Sequence, residues 1–147
     1  MRTTEGTGRL LALPASRTRR VALLGLSGFF IAAGVNHFVN PDFYVGIMPA
    51  WLPAHRPLVW VSGGFEVLGG FCVLIPSVRE AAGWGLVLLL LAIFPANLHM
   101  AINAELFPDL PSAGLYLRLP IQGLFMVWAW WATRPDGPSI LPPTDTR

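Results

Sequence analysis

Four long stretches of apolar residues constrain this chain more than any other feature. They cover about residues 21–39, 58–75, 81–102 and 116–132. Each is close to the roughly 20 residues that an α-helix needs to cross the hydrocarbon core of a bilayer. Only 12% of the residues are charged, whereas an ordinary soluble domain has about 25%. The sequence therefore predicts an all-α integral membrane protein built as a bundle of four transmembrane helices.

The arginines are distributed unevenly around these stretches. With a cytoplasmic N-terminus, eight of the ten Arg lie on the cytoplasmic side, and only Arg56 and Arg118 lie on the outer side. Basic residues favour the cytoplasmic side, so we expect both termini in the cytoplasm and a multi-pass location in the inner (plasma) membrane. The predicted parts are a disordered Arg-rich tail (1–20), the membrane domain (21–133) and a Pro-rich tail (134–147).

Several classes of function are excluded by composition. Half of the ten arginines precede the first apolar span, and no basic stripe with interleaved aromatics follows, which argues against nucleic acid as a partner. The single cysteine, Cys72, excludes an intramolecular disulfide and a cysteine-based zinc cluster. The paired Arg19 and Arg20 also resemble a Tat signal, but cleavage after it would leave only three spans, so a retained first helix is favoured.

The segment between the first and second stretches predicts a short helix in the first outer loop. Asn40 can cap such a helix, Pro41 suits its first position, and the helix would stop near Pro49. Together with Trp51, the apolar side chains would form a lid lying in the membrane interface. These side chains are Phe43, Tyr44, Ile47 and Met48.

Polar side chains within the predicted spans concentrate in the outer half of the bundle. Such residues are costly in hydrocarbon and are therefore candidates for function. The residues next to Glu66 on its helix face are small, a pattern that admits a neighbouring helix or leaves a pocket. The sequence predicts an outward-facing polar pocket with these members: Asn36, His37, Glu66, Asn97, His99, Arg118 and Gln122.

Each candidate also has a structural interpretation. Glu66 and Arg118 can form a buried ion pair that fixes helix register, an interpretation as strong as that of a functional carboxylate. Asn97 can satisfy a backbone group exposed by a proline kink, which is the favoured interpretation. His37 and His99 are ordinary interfacial histidines in the favoured view, and a haem or metal role is the weaker alternative. No catalytic residue and no metal ligand is assigned.

Short segments in a fixed order resemble DoxX-like (DoxX/MauE-type) bacterial membrane proteins. The segments are 34–38 (GVNHF), 40–44 (NPDFY), 49–53 (PAWLP), 62–66 (SGGFE), 94–97 (FPAN) and 118–122 (RLPIQ). The resemblance covers about residues 20–133 and implies a four-helix inner-membrane protein. Related members include membrane subunits of quinone-linked oxidoreductases, thiosulfate:quinone oxidoreductase among them, and accessory proteins for methylamine dehydrogenase maturation. The cysteine pair of thiol-handling relatives is absent here, which argues against a disulfide relay.

Two functions are consistent with these features. The favoured one is a subunit or accessory of a redox-linked membrane system, with a pocket for a quinone-like amphiphile. The pocket would offer Glu66 as proton partner and donors from His37, His99, Arg118 and Gln122. The alternative is a non-catalytic assembly or anchor module for a partner enzyme such as an oxidoreductase subunit. Solute export is less favoured, because the chain has no inverted repeat and no polar path through its inner half. Catalytic activity, the ligand, the partner and a homo-oligomeric state are left open.

Overall fold

The computed structural model describes residues 13–135, and this part of the chain is all-α. It contains five α-helices and, after the fourth, one 3-10 turn at Ala104–Leu106. The helices are α1 (Arg17–Val39), α2 (Pro41–Gly46), α3 (His55–Cys72), α4 (Arg79–Ile102) and α5 (Ser112–Thr133). Most of the two predicted tails, residues 1–12 and 136–147, lies outside the described residues.

The four apolar stretches correspond to α1, α3, α4 and α5, and the short helix predicted after Asn40 is confirmed as α2. α1 begins at Arg17, so the last residues of the predicted disordered tail belong to the helix. Arginine is a good helix former, and the Arg20 amide donates to the Ser16 carbonyl at 2.9 Å. α3 begins at His55 with Pro57 in its first turn, where the missing proline N–H is not needed.

The four long helices form an antiparallel ring in which α1 packs mainly on α3, and α4 mainly on α5. Ser27 Oγ donates to the Gly70 carbonyl at 2.6 Å, joining the first half of α1 to the end of α3. Trp128 Nε1 donates to the Ala22 carbonyl at 3.1 Å, joining the end of α5 to the start of α1. The bundle therefore consists of two tightly packed helix pairs, α1–α3 and α4–α5, which contact each other less extensively through α3 with α4 and α1 with α5.

Glycine sets the distance between α1 and α3. A Cβ on Gly63 would lie 2.6 Å from the Cβ of His37, and a Cβ on Gly34 would lie 2.5 Å from the Gly63 carbonyl oxygen. Neither space admits a larger residue unless the backbone moves, because protein interiors are close-packed. Small residues let the two helices approach closely. This approach brings His37 of α1 against Glu66 of α3.

Two apolar clusters lie at different heights in the bundle. One fills the end that holds the start of α1 and the end of α5, with buried Leu23, Leu26, Leu86, Ala129 and Ala132 among its members. The other lies at the opposite end and consists of buried Ile47, Met100 and Leu115 with the rings packed on them. His37, Glu66, Asn97 and Gln122 of the predicted pocket lie between these two clusters along the helices.

The outward faces of the long helices are apolar. α1 and α4 are long and apolar enough to cross a membrane. The exposed large side chains of α3 and α5 are apolar or aromatic as well. They are Leu58, Trp60, Val61, Phe65, Leu68 and Phe71 on α3, and Tyr116, Leu117, Ile121, Leu124, Val127 and Trp130 on α5.

Charged residues within the described part lie near the helix ends, apart from Glu66 and Arg118. One end of the bundle carries the arginines, and Arg19 donates to the carbonyl of Arg134 there. The other end is mainly acidic and carries one ion pair, between Arg56 and Asp42. The arginine end holds Arg17, Arg19, Arg20, Arg79 and Arg134, and the acidic end holds Asp42, Glu105 and Asp109. The two ends therefore differ in sign of charge.

Candidate ligand-binding cleft

A cleft of about 550 Å³ lies between the α1–α3 pair and the α4–α5 pair. Its volume is in the range of about 300–1,000 Å³ that is typical of small-molecule sites. Its walls are mostly apolar, and α2 with the following loop contributes Tyr44, Ile47 and Met48 to the lining. The predicted lid thus adjoins the cleft, although Phe43 is half-exposed and Trp51 is 71% exposed, and neither lines it.

One wall of the cleft carries a carboxyl group next to an imidazole. Glu66 is only 5% exposed and His37 only 7%. The Nδ1 atom of His37 lies 3.0 Å from the Ala33 carbonyl oxygen, within hydrogen-bond geometry. It also lies 3.1 Å from Oε2 of Glu66, but that oxygen receives no hydrogen bond. In the tautomer that carries a hydrogen on Nδ1, this N–H is directed to the Ala33 carbonyl, and the carboxyl lies beside it at ion-pair distance.

The imidazole of His37 is covered on one face by the phenol ring of Tyr44. The two ring centres are 3.7 Å apart and the planes differ by 19°. Asn36 Nδ2 donates to the Tyr44 hydroxyl oxygen at 2.7 Å, and Asn40 Nδ2 donates to Asn36 Oδ1 at 2.7 Å. Asn36 is therefore not part of the cleft lining but holds the phenol in place. The phenol hydrogen has no acceptor among residues 13–135.

The opposite wall carries a side-chain amide that is fully used by the protein. Gln122 Nε2 donates to the Leu90 carbonyl at 2.5 Å, and Gln122 Oε1 accepts from Asn97 Nδ2 at 3.0 Å. Leu90 precedes the proline of α4 by five residues, so its carbonyl is not the one that Pro95 leaves without a helical donor, which is that of Leu91. The contact predicted between Asn97 and such a backbone group is not among the hydrogen bonds of residues 13–135. Asn97 instead orients Gln122.

Arg118 lies on this second wall and has few partners. Its Nη1 atom is 4.0 Å from the sulfur of Met100. In the described part of the chain no carboxylate lies within 4 Å of it. A guanidinium group has five N–H donors, so most of those of Arg118 remain available to a molecule in the cleft.

The predicted ion pair between Glu66 and Arg118 is therefore wrong. Both side chains line the cleft, but Glu66 contacts His37 on the α1–α3 side and Arg118 contacts Met100 on the α4–α5 side. The physical reason is the glycine contact between α1 and α3, which places an imidazole against the carboxyl. The guanidinium stays on the other wall.

His99 was predicted to belong to the pocket, and the structure places it elsewhere. Its Nδ1 lies 2.9 Å from Asn103 Nδ2, which also donates to the His99 carbonyl at 2.9 Å. Its ring meets the ring of Phe107 edge to face, with centres 6.2 Å apart. Side chains two residues apart on a helix point in directions that differ by about 200°. Asn97 and His99 therefore cannot both face α5.

The cleft is open between the outer halves of α3 and α4. Stacked rings of Phe29 and Phe125, with centres 4.4 Å apart, close the side between α1 and α5. α3 and α4 meet where Gly69 faces Leu86, nearer the arginine end. One turn further out the cleft-lining ring of Phe65 is 56% exposed. A molecule in the cleft would therefore reach the outer surface of the bundle at this gap.

The site thus combines an apolar slot with separated hydrogen-bonding groups. The carboxyl of Glu66 and the phenol of Tyr44 lie on one side, and the guanidinium of Arg118 lies on the other. Sequence reasoning placed Tyr44 in the lid but not among the polar groups, because its role depends on the chain reversing at Asn40. Within residues 13–135 no group of three or more His, Cys, Asp or Glu side chains could hold a metal ion.

Comparison with known proteins gives one match. A family model described as a domain of unknown function, DUF8561, matches residues 26–133. No curated protein and no solved structure matches the chain. The matched region includes the four long helices from the third turn of α1 onward and every residue that lines the cleft. Because it covers well over half of the sequence, the chain belongs to the DUF8561 family.

Proposed function

We propose that this chain is a four-span protein of the bacterial inner membrane whose outer cleft binds a quinone-like amphiphile for a redox-linked membrane system. The observation that carries the proposal is the cleft itself. It is an apolar slot of about 550 Å³ with hydrogen-bonding groups on opposite walls. A quinone ring needs an apolar slot and partners for two oxygens at opposite ends, and the cleft has that arrangement.

The surface supports a membrane location for all four long helices. α3 has 18 residues and α5 has 22, which correspond to about 27 and 33 Å at 1.5 Å per residue. The hydrocarbon core of a bilayer is about 30 Å thick. No charged residue is exposed between Leu58 and Phe71 or between Tyr116 and Trp130. Lipid tails are the environment in which such faces are stable.

The charge at the two ends supports the orientation. The end with Arg17, Arg19 and Arg20 also holds Arg79 and Arg134, and basic residues favour the cytoplasmic side. The cleft lies toward the other end, so it would face the outer leaflet.

The free donors in the cleft support a ligand with oxygen acceptors. Arg118 offers guanidinium N–H groups, and the Tyr44 hydroxyl hydrogen is unused by the described residues. Arg118 is one of the predicted donors, and Tyr44 is an additional one. Of the other predicted donors, His99 lies outside the cleft, and Gln122 and His37 are already bonded within the protein. The opening between α3 and α4 lies at the level of the lipid tails, which suits a ligand dissolved in the membrane.

The resemblance to DoxX-like proteins adds the redox context. Its members include membrane subunits of quinone-linked oxidoreductases, and the residues that carry the resemblance include His37, Glu66, Arg118 and Gln122. Membership of the DUF8561 family neither adds to this resemblance nor takes from it, so the redox context is a prediction from the motifs.

A binding experiment tests the proposal. The protein is purified in mild detergent, co-purifying molecules are identified by absorption and mass spectrometry, and binding of 2-decyl-1,4-benzoquinone is measured by calorimetry in lipid nanodiscs. We expect Arg118→Gln to weaken binding about tenfold, as loss of a charged hydrogen bond does. Arg17→Gln is the control, since Arg17 is exposed at the far end of the bundle.

Two outcomes would overturn the proposal. Either wild-type protein fails to bind the quinone, or Arg118→Gln and Arg17→Gln bind it equally well. Recovery of a stoichiometric partner protein, with no small molecule bound, would favour the assembly or anchor module instead. In that case the cleft residues would affect thermal stability or recovery of the complex, and not the binding of any ligand.

A further inference from the structure

Glu66 is a buried acceptor whose one described polar contact, with His37 Nδ1 3.1 Å from Oε2, lacks hydrogen-bond geometry. Its side chain is 7% exposed and its Oε2 atom is fully buried, yet that atom receives no hydrogen bond. The nearest polar hydrogen is on Nδ1 of His37, and it is directed to the Ala33 carbonyl. No other hydrogen bond to this carboxyl comes from residues 13–135.

The described residues do not supply a hydrogen-bond donor with good geometry for this carboxyl. The great majority of buried polar side-chain atoms in folded proteins have a hydrogen-bond partner. A carboxyl keeps at least one acceptor oxygen whether or not it is protonated. Glu66 lines the cleft, so a molecule bound there is the partner that can reach it.

The opposite wall of the cleft carries hydrogen-bond donors without an oxygen acceptor among the described residues. Arg118 has only donors, and its described contact is the sulfur of Met100 at 4.0 Å. Both ends of the Gln122 amide are already bonded within the protein, so Arg118 is the group on this wall with the most donors left. A ligand that satisfies both walls carries a donor on one side and an oxygen acceptor on the other.

We infer that the cleft selects a hydroxyl-bearing aromatic ring, a phenol or hydroquinone, over the corresponding dione. The ring hydroxyl donates to the carboxyl of Glu66, and an oxygen on the opposite side of the ring accepts from Arg118. A dione has acceptors only and leaves Glu66 without a donor. This inference rests on the proposed function, which requires a quinone-like ligand but does not say which form is held.

Three probes with the same ring and tail separate the forms. They are 2-decylhydroquinone kept reduced under anaerobic conditions, its dimethyl ether, and 2-decyl-1,4-benzoquinone. Binding of each is measured by calorimetry in nanodiscs. We expect wild-type protein to bind the hydroquinone about tenfold more tightly than either of the others, as one additional hydrogen bond to Glu66 would give.

Two variants test whether Glu66 is the residue responsible for the preference for the hydroquinone. In Glu66→Gln the new amide can donate to a dione carbonyl, so the hydroquinone-to-benzoquinone affinity ratio should fall from about ten to about one or below. Glu80→Gln, an exposed glutamate at the start of α4, should keep the wild-type ratio. Thermal unfolding of each variant checks that the fold is retained.

The inference fails if wild-type protein binds the benzoquinone as tightly as the hydroquinone, and the proposed function would still stand in that case. It also fails if Glu66→Gln weakens all three probes by one factor, because that result marks a structural role. If none of the probes binds, the proposed function fails and this inference fails with it. Should Glu66→Gln not fold, the wild-type ratio of hydroquinone to dimethyl ether decides the question.

Discussion

The imidazole of His37 lies against the carboxyl of Glu66, with Nδ1 3.1 Å from Oε2, beside the contact between Gly34 and Gly63. The two atoms are within ion-pair distance, although the contact lacks hydrogen-bond geometry. The close packing of α1 on α3 at the glycines brings the two groups together, so the site depends on glycine as well as on its polar residues.

Gly63→Ala should destabilise the protein. The added Cβ would lie 2.6 Å from the Cβ of His37 and 2.9 Å from the Gly34 carbonyl oxygen. Overpacking of this kind costs about 1–3 kcal/mol. The free energy of unfolding, measured by SDS titration in mixed micelles, should fall by that amount, and ligand binding should weaken as His37 is displaced.

Gly64→Ala is the matched control on the same helix. Gly64 is exposed, and nothing lies within 4 Å of a Cβ added to it. Because alanine is the better helix former, this variant should be as stable as wild type or more stable by about 0.5–1 kcal/mol. Equal effects of the two substitutions would show that the glycine contact does not fix the α1–α3 distance.

Asn97 and Gln122 should behave as one unit. Asn97 donates to Gln122, and Gln122 donates to the Leu90 carbonyl. Gln122→Leu removes the side-chain donor to that carbonyl and leaves the Asn97 amide without its partner, which costs about 1–3 kcal/mol. Asn97→Ala should cost less, about 0.5–1.5 kcal/mol.

A double-mutant cycle on unfolding free energies checks this coupling. We expect the double variant to lose less stability than the sum of the single variants, by at least about 0.5 kcal/mol. Strict additivity would mean that the two amides act independently.

The helices of this protein could be predicted from hydropathy, because an apolar stretch of span length has few alternatives to a helix. The grouping of His37, Glu66, Asn97, Arg118 and Gln122 around one space could also be predicted, since all lie in the outer half. Arg118 and Gln122 are four residues apart, so helical spacing also places them on one face of their helix.

Which side chains would meet could not be predicted in the same way. Spacing gives the face of a helix, but it does not say which neighbour that face contacts. The partner of Glu66 was assigned by charge to Arg118, whereas glycine packing places His37 there. Tyr44 was missed as a polar group because its stacking on His37 depends on the turn of the chain at Asn40.

Tyr44→Phe should weaken ligand binding with little loss of stability. The stacked ring over His37 is retained, while the hydroxyl that Asn36 holds is removed. Loss of one neutral hydrogen bond to the ligand corresponds to about 0.5–1.5 kcal/mol, or a rise in Kd of about two- to tenfold. Calorimetry with the decyl-benzoquinone measures it.

Tyr116→Phe is the control for this substitution. The chain has two tyrosines, and Tyr116 is 57% exposed on the outward face of α5, away from the cleft. Binding should be unchanged in that variant. If both phenylalanine variants bind as wild type does, the Tyr44 hydroxyl does not contact the ligand.

Single cysteines should report opposite sides of the membrane for the two ends of α4. In a Cys72→Ser background, Ser77→Cys lies at the arginine end and Asp109→Cys lies at the acidic end, and both positions are exposed. Because basic residues favour the cytoplasm, a membrane-impermeant maleimide should modify Asp109→Cys on intact spheroplasts and Ser77→Cys only after permeabilisation. Ala50→Cys, exposed in the loop after α2, should follow Asp109→Cys. The mass increase of the purified protein gives the labelled fraction. Modification of Ser77→Cys and Asp109→Cys from the same side would mean that α4 does not cross, and the four-span arrangement would be wrong.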